Sequence, residues 1–285
     1  MVTLPPDGAP GAAPMQIEIV VPARNEARRL PDGLDALCRK AAALGVPAGI
    51  LVVDSASTDA TSDVVRRWPA GPVPVSLLRC DRPGKGIAVR TGLLATRAPF
   101  VGFCDADMAT DLAALDVALG LLAEGNSLVV GSRGLADSVV ENRHSAVRRG
   151  GAAVFRAMAR RVVPSATDTQ CGFKFFSGPL ARAAALRLTT PGFAFDIELI
   201  VLCQRLGASL TEFPVHWQDM PGSTFSVPRH SAAALRDVVS IWLAHRPGRA
   251  AEPAPGAPAP DAPLPATAPV LEPPGEALPA GITPA

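Results

Sequence analysis

Apolar, β-prone runs alternate with amphipathic helical stretches over the first half of the chain, and few folds accept that order. Residues 17–22 (IEIVVP) read as a buried strand. Residues 26–44 read as a helix, with Leu30, Leu34, Leu37 and Leu44 near helical spacing. The pattern repeats, with strands over 50–54, 73–79, 100–107 and 127–133 and helices over 58–68, 86–97 and 111–123. The strands are continuous apolar runs, as a parallel sheet covered on both faces requires. After Gly134 the pattern loosens. It predicts a basic helix over 144–163, a strand-like GFKFF over 172–176, a helix over 194–206, a strand over 208–216 and an amphipathic close over 231–246. An α/β fold with a mostly parallel central sheet flanked by helices is expected.

With 285 residues, 48% of them hydrophobic, the chain can bury one large core. The folded domain is expected over 15–247. Residues 1–14 are rich in Pro, Gly and Ala, and the last 35 residues hold 11 prolines. Such composition removes backbone donors, so disorder is expected over 1–14 and 248–285. A formal net charge of +1 argues against nucleic acid as a partner. The five cysteines are odd in number and widely spaced, with no C-x-x-C pair. That pattern favours a reducing cytoplasm over disulfides or zinc. Residues 1–15 lack the basic and apolar regions of a signal peptide. No stretch approaches the roughly 18 uncharged apolar residues of a membrane span. The expectation is a cytoplasmic protein, soluble or peripheral at the inner face of a membrane. The closing helix either lies on a membrane through Val238, Val239, Ile241, Trp242 and Leu243, or packs that face on its own core.

In open parallel sheets, ligands sit outside the carboxyl ends of the strands. Residues 22–26, Asp54, Asp105, Asp107 and Arg133 all fall at or just past such ends. Asp105 and Asp107, two residues apart after an apolar strand, suit one hard divalent ion, Mg²⁺ or Mn²⁺, with substrate phosphates completing its shell. Asp54 closes a strand, where it could accept hydrogen bonds from a base or ribose, and Ser57 or Thr58 could cap the following helix. In RPGKGIAVRTG (82–92), glycines and Lys85 precede a helix, which suits phosphate, although the order is not that of a Walker A loop. Arg143, Arg148 and Arg149 form a local basic cluster suited to phosphate oxygens. Lysine occurs only at Lys40, Lys85 and Lys174.

VPARNE (21–26), VVDSASTD (52–59), GKGIAVRTG (84–92), DADMAT (105–110), VVGSR (129–133), DTQCGFKFF (168–176), FAFDIELI (193–200) and the W-x₄-GS of Trp217, Gly222 and Ser223 follow in order. Together they resemble the family 2 glycosyltransferases of GT-A fold, in particular the polyprenyl-phosphate branch and its dolichyl-phosphate β-glucosyltransferases. The resemblance spans about residues 16–245. It implies inverting transfer of a hexose, UDP-glucose favoured, from a nucleotide diphosphate-sugar to a polyprenyl phosphate. By matched position, Pro22, Asn25, Glu26 and Asp54 would hold the nucleotide, with Lys85 nearby. Asp105 and Asp107 would bind metal and diphosphate. Arg133 would meet phosphate, and Asp168, Gln170 and Lys174 would line the acceptor side.

A phosphate acceptor is already anionic, so positioning and charge stabilisation suffice for attack. A hydroxyl acceptor would need a base, for which Asp168, Asp196 and Glu198 are the candidates. The chain departs from the family's D-D-x-S at Asp54-Ser55, and Ala56 stands where glycine is usual. The branch also commonly carries a membrane anchor. The main alternative is therefore the same donor chemistry with a soluble small-molecule acceptor. A sugar nucleotidyltransferase would open with a glycine-rich loop where this chain has PARNE. A non-catalytic nucleotide-binding protein would not need the paired acids.

Overall fold

A computed structural model describes residues 14–141, 155–220 and 227–245. The elements run β1 (Ile17–Ala23), α1 (Leu30–Ala42), β2 (Ala48–Ser55), α2 (Thr61–Arg66), β3 (Val75–Cys80), α3 (Lys85–Ala95), β4 (Phe100–Cys104), α4 (Ala114–Ala123), β5 (Leu128–Ser132) and β6 (Val139–Glu141). They continue with α5 (155–162), β7 (Phe173–Ser177), α6 (Gly178–Arg187), α7 (Phe195–Arg205), β8 (Leu210–Pro214), β9 (His216–Gln218) and α8 (Val227–Ala244).

Seven strands form one sheet in the order β3-β2-β1-β4-β7-β5-β8. All neighbours are parallel except β7, which runs against both β4 and β5. The sheet separates two apolar cores. One gathers α1, α2 and α4 against Ile17, Ile19, Val52, Phe173 and Phe175. The other gathers α3, α6, α7 and α8 against Val20, Val53, Phe103, Phe176 and Phe195. Covering both faces is what makes the strands continuously apolar.

Several boundaries differ from expectation, and for physical reasons. The helix expected from residue 26 starts at Leu30, because residues 25–27 are tied by hydrogen bonds to the loop after β2. The strand expected through 107 ends at Cys104, because the chain turns at once and Met108 takes φ 48°. Helix α6 was not expected. It opens on Gly178-Pro179, and proline suits a first turn, where its missing N–H is no loss. The short β6–β9 pair was not expected either. Of the basic helix expected over 144–163, only 155–163 is described, helical over 155–162, and Arg143, Arg148 and Arg149 lie outside the described residues, as do Gly222 and Ser223.

The apolar face of α8, read as either lying on a membrane or packing on its own core, is divided. Val238 and Ile241 are buried against the core, which removes them from any surface role, while Val239, Trp242 and Leu243 are exposed. No helix of the described residues is long and apolar enough to cross a membrane.

Candidate active site

The carboxyl ends of β1, β2, β4 and β5 open on one rim, and hydrogen bonds between loops build it. After β1, Asn25 Oδ1 accepts from Thr58 N at 2.8 Å, and Asn25 N donates to Ser57 Oγ at 2.9 Å. Glu26 N donates to Thr61 Oγ1 at 2.8 Å, and Ala27 N to Asp59 Oδ2 at 3.1 Å. PARNE and DSASTDAT therefore act as a single clasp, with Pro22 and Asn25 reaching its surface. Asn25 and Ala56 adopt φ 55° and 53°. Both turns thus use the left-handed backbone, which asparagine tolerates readily and alanine adopts only at a cost.

Two residues expected on the nucleotide are turned inward. Asp54 is 2% exposed; its Oδ1 accepts from Ser57 N at 2.9 Å, and its Oδ2 accepts from the Ser62 hydroxyl. The acid closes its own turn, with one hydrogen bond already accepted by each of its oxygens. Glu26 is also committed. Its carboxylate takes Arg29 Nε at 2.8 Å and Nη2 at 2.6 Å, which places Arg29 on the rim side of α1. Sequence reading passed over Arg29, and an acid followed by an arginine three residues later was the available sign.

The GKG segment is explained mainly by packing. A Cβ on Gly84 would stand 2.5 Å from Pro191 O, and one on Gly86 would stand 2.2 Å from Thr190 O. Gly86 N donates to Pro191 O at 2.9 Å, and Gly84 N donates to Ser55 Oγ at 2.8 Å. Two N–H groups at the start of α3, those of Gly84 and Gly86, are thus taken by protein. What it delivers to the rim is Lys85, whose Nζ lies 2.6 Å from Asp105 Oδ1. Burial alone would disfavour the ammonium, but Asp105, Asp196 and Asp107 outweigh it and raise the pKa, so Lys85 stays charged.

Asp105 is possible only beside a glycine. Its N–H donates to Gly172 O at 3.1 Å, and a Cβ on Gly172 would stand 2.1 Å from Asp105 Oδ2. Asp107 accepts from Ala109 N at 3.2 Å. Burial, then the negative charge of Asp105, pushes its pKa up. Two partly buried carboxylates that disfavour each other's charge are the oxygen set a divalent cation would relieve. Asp105 Oδ1 adds to the fit, since it has a charge partner but no directed hydrogen-bond donor. Among the described residues no third His, Cys, Asp or Glu joins them, which leaves the remaining positions to substrate oxygens.

Beside this pair stands a fixed cation. Arg133 binds Asp168 through Nε at 2.6 Å and Nη2 at 3.0 Å, and its Cζ lies 5.4 Å from the Trp217 ring centroid. Trp217 is held in turn by β9, whose Gln218 N donates to Ala109 O at 2.8 Å. Asp168 also accepts from Gln170 N at 2.9 Å, and Glu212 of β8 fixes the segment through Thr167 N and Asp168 N. Burial opposes ionisation of Asp168, but Arg133 more than offsets it and holds the pKa at about 2. Such a carboxylate is a poor proton acceptor. Asp168 holds Arg133 and does not stand free as a base.

Lys174 was expected at the acceptor side, yet its ammonium is fully buried, 2.5 Å from Asp196 Oδ1 and 2.6 Å from Cys171 O. On β7 the pleat sends Phe173 and Phe175 into one core and Lys174 into the other, beneath Phe103. Asp196 is thereby taken. Glu198 is taken as well, accepting from Thr189 N and Oγ1 and Thr190 N, with His245 at 4.0 Å. Gln170 is half-buried, and its N–H bonds the same carboxylate, Asp168, that holds Arg133. Trp217, Gly172 and Glu212 are parts of the site that spacing alone did not reveal.

Comparison with known proteins agrees with this geometry. The profile of Glycosyl transferase family 2 matches residues 18–178. The dolichyl-phosphate beta-glucosyltransferase of Drosophila melanogaster is 33% identical over 259 residues, covering 82% of this chain and 76% of that protein. That of Homo sapiens is 30% identical over 258 residues, covering 82% and 76%. Among solved structures, glucosyl-3-phosphoglycerate synthase from Mycobacterium tuberculosis in complex with Mn²⁺, uridine-diphosphate and glucosyl-3-phosphoglycerate superposes with a TM-score of 0.59 at 22% identity, covering 81% of this chain and 80% of that one. The shared GT-A architecture, the paired acids on its rim and the extended match to the profile lead to one assignment: the chain belongs to glycosyl transferase family 2.

Proposed function

We propose that the protein transfers a hexose, with UDP-glucose the favoured donor, to a polyprenyl phosphate, inverting the anomeric carbon. One observation carries the choice of acceptor. The three carboxylates considered as bases are all committed: Asp168 to Arg133, Asp196 to Lys174, and Glu198 to the 189–190 backbone. A phosphate monoester needs no base, and Arg133 supplies a positioned cation for it. The names of the curated relatives point the same way.

Pro22 and Asn25 would face the nucleotide, with Asp54 and Glu26 shaping the loops beneath. Asp105 and Asp107 would hold Mg²⁺ or Mn²⁺ together with the donor diphosphate. A bound ion would supply charge neutralisation for the departing diphosphate. Arg133, kept in place by Asp168 and Trp217, would orient the acceptor phosphate with Gln170 and Arg148. An acceptor oxygen bonds to the anomeric carbon as the bond from that carbon to the diphosphate oxygen breaks, and UDP leaves. Lys174 would act from within the sheet by fixing Asp196. The catalytic unit would be residues 15–247, working at the cytoplasmic side of a membrane or in solution.

The test is purified protein with Mn²⁺, offered UDP- and GDP-sugars with and without a short polyprenyl phosphate. Turnover of UDP-glucose that depends on the lipid phosphate is the expected result. Turnover with a small phosphorylated or hydroxylated acceptor but none with the lipid would replace this acceptor. Asp107→Asn is expected to abolish turnover while circular dichroism stays unchanged.

A further inference from the structure

We infer that Lys85 holds the metal carboxylate Asp105 in the free protein, and that a divalent ion gains it only when a nucleoside diphosphate arrives to take the ammonium. Metal and donor would then bind as one coupled event. The inference rests on the donor chemistry proposed above.

Its basis is a contact and a lack of escape routes. Lys85 Nζ lies 2.6 Å from Asp105 Oδ1, and that oxygen is sealed from solvent. While the ammonium stays, an incoming ion is left with Oδ2 alone, beside a positive charge. The backbone that carries Lys85 is anchored, because it opens α3 between Gly84, bonded to Ser55, and Gly86, bonded to Pro191. The ammonium also lies 5.8 Å from the Phe195 ring centroid. Two other acids act on Lys85: Asp196, whose Oδ1 is already held by Lys174 at 2.5 Å, and Asp107, the second carboxylate proposed for the ion. An ammonium displaced into such a place needs a new anion, because an unpaired buried charge is costly. A diphosphate brings both that anion and ligands for the incoming ion. By linkage, each of the two ligands must then strengthen the other's binding.

Mn²⁺ binding without nucleotide, read from the electron paramagnetic resonance of the free ion, is the direct test. Lys85→Met is expected to bind Mn²⁺ about 10-fold more tightly than the wild-type protein. Arg133→Met removes a cation that acts on Asp105 through space without touching it. It is expected to change the affinity less than about 3-fold. Equal shifts in the two variants would reduce Lys85 to part of the general field and overturn the inference, and so would no shift in Lys85→Met. If Lys85→Met does not fold, Lys85→Gln serves the same comparison.

A second arm needs no substitution. With only Lys40, Lys85 and Lys174 in the chain, ¹³Cε spectra of labelled lysine resolve the residue directly. The Lys85 signal should hold its position with Mg²⁺ alone and move when UDP is added with it. Movement with Mg²⁺ alone would overturn the inference. Loss of Mn²⁺ binding even with UDP would sink the donor reading and the inference together. Normal sugar transfer alongside an unchanged Lys85→Met affinity would sink the inference only.

Discussion

At the scale of single residues, the site is governed by which polar atoms are already satisfied. Asp168 is ionised and clamped, with a pKa of about 2 against an unfolded value near 3.9. Its folded pKa is depressed, so its contribution is present above about pH 4 and is lost as pH falls towards 2. The contribution is of the order of 2 kcal/mol. In urea unfolding, the stability gap between wild type and Asp168→Asn should therefore narrow from about pH 6 to about pH 2.5. Ala56 sits at φ 53°. Replacing it with glycine relieves about 1 kcal/mol of backbone strain and returns part of it as unfolded-chain entropy. Ala56→Gly is expected to raise Tm by about 1–2 °C, checked by calorimetry. The sequence marks Asp105, Asp107 and Arg133 because their types and places are unusual after apolar strands. It does not reveal that Asp54 and Lys174 face inward. Their partners, Ser62 and Asp196, are 8 and 22 residues away, and residue types alone do not say which group answers which.

Among elements, β7 is the piece that joins the parts. It is the strand that runs against its neighbours, entering at the rim with Gly172 and carrying Lys174 down to meet Asp196 on α7. Removing one partner strands the other charge in an apolar interior. Lys174→Met is expected to cost about 3–5 kcal/mol in chemical denaturation, and Lys174→Met with Asp196→Leu should recover most of that loss. A recovery of nothing would mean that the lysine stem, rather than the charge pair, supports the strand. The parallel strands were legible because burial on both faces leaves uninterrupted apolar runs. The reversal of β7 was not, since a buried strand reads alike in either direction. Helix α6 escaped notice because its Ala-rich run lacks a marked apolar stripe.

For the molecule as a whole, the sheet keeps two separate cores, and the working groups sit where both end. Ligand binding at that margin should therefore be felt as global stability. At about 100 times Kd, UDP with Mn²⁺ is expected to add about 2.7 kcal/mol, a rise in Tm of roughly 5–10 °C. A melting curve that stays put with UDP and Mn²⁺ but moves with GDP would reassign the base. This outcome concerns the folded domain and should not depend on residues 248–285.

The hydrogen bond from Asp105 N to Gly172 O has a further consequence for how such an enzyme can change. It makes the turn at Asp105, proposed to hold the ion, and the string 168–172, proposed to face the acceptor, neighbours in space, so a change in one is felt by the other. A side chain added at 172 would collide with the Asp105 carboxylate. The β6–β9 ribbon is no independent route, since β9 bonds Ala109 just past Asp107 and sets Trp217 against Arg133.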